Sequence, residues 1–395
     1  MTHLTTLDEL NQQITVLASV EETDALFISV YLNLEDETTD WRETLNDRAR
    51  LLRLILKDDD LADFNDALDK VEAWLDTELH PEAKSVAIFV RGIFGGAFML
   101  PMQFAVPLPN WIAVYPTPNI YHLVELKDNY HRYIVLFAMP DRASILEVNL
   151  GAATTRAWIN NPDLRTRVGQ EWGRPHFQVH QKHRGDRFMH EKIAVLEQLM
   201  PAGGHTHLIL TGDPKITKSI RLALPEDLAD KLVDIIPTSK RDQQTDIVMA
   251  TLSSFIEHEE QESRSVAEQL IEGLRSQNLA VAGTADTMTV LRWGEVDTLV
   301  MTSDYQPDPG WTCTTCRAID IEPLETSTCP QCGALTARPI DIREAMLRLA
   351  GQLECAVEVV EHSDALMSLG GVGCLLRTRF DTKIDELTAH VDVSS

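Results

Sequence analysis

Residues 133–140 read Tyr-Ile-Val-Leu-Phe-Ala-Met-Pro. A run this apolar, rich in β-branched and aromatic side chains and closed by proline, predicts a strand buried on both faces. It is among the longest apolar runs of the chain, yet far short of the roughly 18 residues that cross a bilayer. A second run of this kind, Thr206–Thr211 (THLILT), follows an amphipathic helical pattern over Phe188–Met200. Strand, helix of crossover length and strand together predict an α/β sheet.

The same alternation extends in both directions. Before it, Leu26–Leu32 and Ser85–Val90 read as strands, Ala97–Val106 as a further strand after a glycine turn, and Trp111–Tyr115 as a short edge strand. Trp41–Leu79 carries two apolar stripes at helical spacing, Leu45, Leu52, Ile55 and Leu56, then Phe64, Leu68, Val71 and Leu75. The run Asp58-Asp59-Asp60 separates them as a helix-capping turn. Ser144–Leu150 is expected to pair with residues 133–138 as a hairpin. A polar, glycine-punctuated loop is expected over 160–190, with helices over Pro214–Leu224 and Asp227–Leu232 and a strand over Val233–Ile236. A long helical pattern, Gln244–Ser276, has an acidic, apolar-poor waist at Glu257–Glu262 that reads as a hinge. Strands follow at Thr298–Met301 and Cys355–Val360, and a last one at Gly373–Thr378. The expected fold class is α/β: three mixed α/β domains over 1–128, 129–258 and 259–395.

Charge separates one stretch from the rest. The chain has 395 residues and a formal net charge of −26, so nucleic acid should repel it as a whole. From Arg165 to Lys192 the balance reverses, with seven basic residues against three acidic. His176, His180, His183 and His190 lie in the same stretch, with Trp172 and Phe177 as flat partners for bases. A solvated loop whose charges balance acidic neighbours is the plainer reading.

Four of the six cysteines form two close pairs: Cys313-Thr-Thr-Cys316 and Cys329-Pro-Gln-Cys332. Two intervening residues let both thiolates of a pair reach one ion, and two pairs complete a tetrahedral shell. Residues 311–338 are therefore expected to be a zinc ribbon inserted in the third domain, with Cys313, Cys316, Cys329 and Cys332 as ligands. With four thiolates no position is left for water, so the zinc is expected to be structural. Cys355 and Cys374 read as small core residues. His205 and His207 would share one strand face as metal ligands can, although a polar strand edge is the simpler reading. Gly370-Gly371-Val372-Gly373 lacks the lysine and Ser/Thr of a phosphate loop and reads as close backbone packing.

The order of these features resembles the archaeo-eukaryotic peptide release factors and their relative Pelota, in bacterial form. Lys182-His183-Arg184-Gly185-Asp186-Arg187-Phe188 stands where release factors carry Lys-His-x-Arg-Gly-Gly-Gln followed by Arg-Phe and a helix. The cysteine module interrupts the third domain in the family's position. Leu369–Arg377 is similar to the family's terminal Gly-Gly-x-x-Ala-x-Leu-Arg, with Cys374 for the alanine. The likeness spans about 129–380. The chain departs from the family at the release tip, where no glutamine follows a glycine pair. Gly203-Gly204-His205 is the one similar string in the middle domain and reads as a helix–strand turn. The stop-codon string Asn-Ile-Lys-Ser is missing from the first domain.

The resemblance therefore implies a non-enzymatic factor that fills the ribosomal A site of idle ribosomes, in hibernation or protection. His180, Gln181, Lys182, His183, Arg184, Gly185, Asp186 and Arg187 would contact rRNA near the peptidyl-transferase centre. Asp186 would orient Arg184 or Arg187, or hold an ion. The first domain would approach the decoding centre. Delivery would involve a translational GTPase, elongation factor Tu by analogy. One alternative is ribosome rescue by peptidyl-tRNA hydrolysis using Gln181 or a tRNA-derived group. Another is a scaffold that binds basic proteins without the ribosome. The N-terminus shows no basic patch followed by an apolar stretch, so the cytoplasm is the expected compartment.

Overall fold

A computed structural model describes residues 3–20, 26–35, 40–92, 98–140, 142–160, 174–239, 241–276, 279–322 and 326–377, with the backbone alone for 158–160 and 174–188.

The chain opens with a helix, α1 (Leu7–Ser19), that the strand and helix patterns above do not anticipate. Its signal is present in the sequence. Thr6 and Glu9 form a capping box, the Glu9 amide donating to the Thr6 hydroxyl and the Thr6 amide to the Glu9 carboxylate. Leu10, Ile14 and Leu17 then recur on one buried face.

Next come β1 (Phe27–Asn33), α2 (Trp41–Ile55), α3 (Asp58–Thr77), β2 (Ser85–Arg91), β3 (Phe98–Phe104) and β4 (Trp111–Tyr115). The sheet order is β3-β2-β1-β4, every pair antiparallel, with Trp111–Tyr115 at the edge as expected. Asp58, Asp59 and Asp60 occupy the first turn of α3, where carboxylates complement the helix dipole. Strand alternation divides β1 between two cores. Ile28, Val30 and Leu32 pack with Leu45, Phe64, Leu68 and Val71 of α2 and α3. Phe27 and Tyr31 face the other way and join a second core.

After α4 (Tyr121–Asn129) comes the middle sheet, built from β5 (Tyr133–Ala138), β6 (Arg142–Asn149), β7 (Ala152–Asn160), α5 (Arg174–Gly203), β8 (His207–Gly212), α6 (Pro214–Ala223), α7 (Glu226–Ala229) and β9 (Leu232–Pro237). Its order is β7-β6-β5-β8-β9, with β5, β8 and β9 parallel and the hairpin β5–β6 antiparallel. The strand read from residues 133–138 is its centre, and every residue of it is buried.

α8 (Gln244–Arg275) leads to the third sheet: β10 (Ala280–Ala282), α9 (Thr284–Trp293), β11 (Val296–Thr302), a cysteine-bearing segment with β12 (Gly310–Cys313), β13 (Ile319–Asp320) and β14 (Ala337–Ile340), then α10 (Ile342–Gln352), β15 (Ala356–Val360), α11 (Asp364–Ser368) and β16 (Val372–Leu376). The order is β10-β16-β11-β15, and the small sheet β13-β12-β14 interrupts it in sequence between β11 and β15. Gly373 sits in the central strand β16, where a Cβ would lie 2.6 Å from the Val281 carbonyl oxygen, so the glycine-rich string is close packing as read.

Two helices join these parts. The backbone amides of Ile120 and Tyr121, at the start of α4, donate to the two carboxylate oxygens of buried Glu344 at 2.7 and 2.9 Å. A carboxyl group whose two oxygens accept from two otherwise unpaired amides at a helix N-terminus satisfies both donors. At the other end of α4, Asp128 accepts from the amide of Val359 at 2.6 Å. The first and third sheets consequently share one continuous core, in which Leu10, Tyr31 and Phe89 meet Leu299, Met346 and Val372.

α8 is the second joint, and it corrects the expected hinge: the helix passes unbroken through Glu257–Glu262. Its buried residues Thr251, Phe255, Glu259, Ser263 and Ala267 are spaced four apart. At about 100° per residue, each step turns the buried stripe by about 40°, so it winds about 160° from Thr251 to Ala267. Phe255 faces the middle sheet, stacked on Tyr133 at 4.4 Å between ring centroids, and Ala267 and Leu270 face the third. The acidic waist is the crossover between those faces. The i,i+4 pairs His258–Glu262 and Glu260–Arg264 line its solvent side.

Candidate metal centre and candidate nucleic-acid interface

The cysteine module is built from two matching turns. In the first, the Arg317 amide donates to the Cys313 carbonyl at 2.8 Å and the Cys313 amide to the Ala318 carbonyl at 2.8 Å. In the second, the Gly333 amide donates to Cys329 at 2.9 Å and the Cys329 amide to Ala334 at 2.8 Å. The fifth residue of each turn is left-handed, Arg317 with φ +60° and Gly333 with φ +74°. Glycine adopts this φ without strain, and the same geometry at Arg317 shows that the turn, not the residue, imposes it.

All four sulfurs lie within 4.8 Å of one another and none is in a disulfide. Cys313 Sγ is 3.7 Å from Cys332 Sγ, and Cys316 Sγ is 3.6 Å from Cys329 Sγ. Zinc–sulfur bonds of about 2.3 Å in a tetrahedral shell set sulfurs about 3.8 Å apart, close to these two separations, so the residues fit such an ion. The Thr336 hydroxyl lies 3.3 Å from Cys313 Sγ. Cys313 and Cys329 are buried beside Trp311 and Ala337, while Cys316 and Cys332 are exposed.

The basic stretch differs from its expected form. Residues 161–173, with Arg165, Arg167 and Trp172, lie outside the described residues. From Arg174 onward the chain is helical, so His180, Gln181, Lys182, His183, Arg184, Gly185, Asp186 and Arg187 stand on the first half of α5 and not in a loop. The composition accounts for this. Pro175 occupies the first turn, where its missing amide is not needed. Gln, Lys, Arg, Met and Glu supply eight of the 17 residues from His176 to Lys192, and Gly185 alone costs only about 1 kcal/mol. Five basic and two acidic residues fall between Arg174 and Lys192, in the N-terminal part of this one helix. The helix ends as the sequence reads it: the His205 amide donates to the Met200 carbonyl, and Gly204 turns the chain into β8.

A third cluster escaped sequence reasoning. His205 and His207 do not share a face, because β8 begins only at His207. His205 is buried, its Nε2 3.6 Å from Glu147, and Glu147 also holds Arg156. His207 faces the waist of α8, where its Nε2 lies 3.6 Å from Glu259 and 3.8 Å from Glu262. His258 Nε2 lies 3.4 Å from Glu262, and His131 Nδ1 3.0 Å from Glu259. Burial pushes His207 down, whereas the Glu259 hydrogen bond holds His131 up. Desolvation and the neighbouring Glu358 charge push the half-buried Asp128 up to about 8. The available signal was the pair His258 and Glu262, four apart within the string read as a hinge.

Residues 118–255, from the approach to α4 through the middle sheet into α8, match the family described as bacterial archaeo-eukaryotic release factor family 10. Among solved structures, the chain is similar to the archaeal translation termination factor aRF1, at 14% identity over 95% of this chain and 99% of that one, TM-score 0.27. It is similar to Pelota of Archaeoglobus fulgidus, at 12% identity over 96% and 94%, TM-score 0.37. It is similar as well to Dom34 of S. cerevisiae, a translation termination-like factor that interacts with Hbs1, at 11% identity over 96% of both chains, TM-score 0.43. No curated protein matches. Among the described residues no helix is long and apolar enough to cross a membrane.

Proposed function

We propose that this chain, a member of the bacterial branch of the archaeo-eukaryotic release factor and Pelota superfamily, binds the ribosome and fills the A site of idle particles, neither reading a codon nor releasing a peptide. One observation carries the reading. The family match falls on the middle sheet, and the helix packed on that sheet carries Arg184-Gly185-Asp186-Arg187 in its first half, where a release factor would carry its Gly-Gly-Gln tip. Cations that attract phosphate are kept, and the water-positioning amide is gone. In an otherwise acidic protein, such a stretch directs this one face toward RNA.

The remaining parts follow from the same reading. Lys182, His183, Arg184 and Arg187 contact rRNA, and Gly185 permits close backbone approach. The four-cysteine module holds a structural zinc, since four thiolates leave no open position for chemistry. A translational GTPase of the elongation factor Tu kind delivers the protein, and the cytoplasm is its compartment.

The test is co-sedimentation of the purified chain with ribosomes lacking mRNA, with and without A-site tRNA. Binding to vacant ribosomes that A-site tRNA competes away is expected. Arg184→Ala with Arg187→Ala should lower affinity and flatten the slope of log affinity against log salt by about 1 to 2, the loss of one or two phosphate contacts. Unchanged affinity and slope would remove α5 from the interface. Loss of labelled peptide from stalled complexes, abolished by Gln181→Ala, would replace the hibernation reading with rescue.

A further inference from the structure

We propose that His207, His258 and Glu262, backed by the buried carboxylate of Glu259, bind a second divalent transition-metal ion of the zinc class, where the middle sheet meets the waist of α8. The inference is independent of the ribosomal reading above.

The donor set suits such an ion, since imidazole nitrogen with carboxylate oxygen is typical of zinc and its neighbours. The backbone places the donors without help from loops. His258 and Glu262 are one turn apart on α8 and share a face, with Nε2 and Oε1 3.4 Å apart. His207 is the first residue of β8 and approaches from the opposite side, its Nε2 3.8 Å from Glu262 Oε2. The three ligand atoms all lie within 4.8 Å of one another. Metal bonds of about 2.1 Å in a tetrahedral shell require ligand atoms about 3.4 Å apart, within reach of small side-chain rotations. His207 Nδ1 is engaged by the Thr206 hydroxyl at 2.9 Å, which fixes the ring and leaves Nε2 for the ion.

Glu259 supplies the independent observation. It is only 6% exposed. Its Oε2 is held by His131 Nδ1 at 3.0 Å, but its buried Oε1 has no hydrogen-bond partner. A buried carboxylate oxygen left without a partner is costly and calls for an explanation. This oxygen points at His207 Nε2 from 3.6 Å, beyond hydrogen-bond length. An ion held by the three outer ligands would lie beside it and give it a partner, directly or through one bound water. Glu262 and His258 reach solvent and provide the entry path. Ligands from β8 and α8 would then pin the middle sheet to the helix that continues into the third.

Zinc content gives the test. The full chain is loaded with excess zinc chloride, desalted and counted by mass spectrometry, beside a His258→Ala, Glu262→Gln double variant. Both substitutions lie on the solvent side and should leave the fold intact. One more zinc per chain is expected in the unaltered protein, and zinc affinity at this site should fall at least about 100-fold in the variant. Equal zinc content in the two proteins would overturn the proposal and leave a cluster held by protons alone. Cobalt chloride titration of the unaltered protein provides a second measure. A thiolate site gives intense near-ultraviolet charge-transfer absorption, and a nitrogen–oxygen site gives weak visible bands without it. Two phases, the second lacking the thiolate band, are expected, and a thiolate phase alone would also overturn the proposal.

Discussion

Two clusters among the described residues, the four cysteines and the histidines with carboxylates at the waist of α8, are assembled in opposite ways. The cysteine module draws its four ligands from 20 consecutive residues, two turns with matching hydrogen bonds on one small sheet. The junction cluster draws on residue 131, residue 207 and residues 258–262, brought together only when the middle sheet closes on α8. A cluster of the first kind is written in spacing. A cluster of the second kind is written in topology, and no local pattern announces it. The same division holds for structural contacts: the α1 capping box is local, whereas the Glu344 cap on α4 joins residues 224 apart.

Breaking a local cluster should damage its own segment severely and little else. On the proposed zinc reading, Cys329→Ser is expected to abolish amide-exchange protection across residues 310–340, because structural zinc sites supply about 10–16 kcal/mol of apparent binding energy to the fold. Protection in the middle sheet should not change. Loss spreading to residues 133–138 would show that the module is not an independent unit.

Breaking an assembled contact should be smaller in energy and wider in reach. Glu344→Ala leaves the Ile120 and Tyr121 amides buried and unpaired, and should lower global stability by about 2–4 kcal/mol in urea unfolding. The contact also has a pH signature. Burial pushes the Glu344 carboxyl up to about 8, above its ordinary range near 4.5. The folded state therefore holds a proton that the unfolded state has released, and stability should fall as pH rises from about 5 to about 8. Glu344→Gln should flatten that decline. An unchanged decline would assign it to another carboxyl, of which Asp128 is the nearest in kind.

The smallest effect belongs to the smallest local device. Thr6→Ala removes one side of the α1 capping box and should cost about 1 kcal/mol. A loss well above 2 kcal/mol would mean that α1 matters chiefly through the shared core of Leu10 and Leu17 with the third sheet.

What could be read from sequence follows the same line. The strand over residues 133–138, the hairpin after it and the paired cysteine turns were legible, because period and spacing are local properties. The helical start of α5 was not, since Gly185 and a dense charge run resemble a loop unless helix propensity is summed over the whole window. The waist of α8 resembles a hinge in sequence because its stripe changes face there. Few apolar residues sit where a helix passes from one sheet to another, and the buried position is filled by Glu259. The clustering of His131, His207 and His258 could be known only from the parallel pairing of β5 with β8 and the seat of Phe255 against Tyr133.

The winding of that stripe makes α8 a counting device. Phe255 sets its rotational phase against the middle sheet, and Ala267 with Leu270 sets it against the third. One residue inserted between them would turn everything beyond by about 100° and advance it by about 1.5 Å, so both seats could not be filled at once. Seven inserted residues would restore the phase to within about 20° but lengthen the shaft by about 10 Å. The length of this helix between Phe255 and Ala267 is therefore as much a fixed quantity of the protein as any side chain along it.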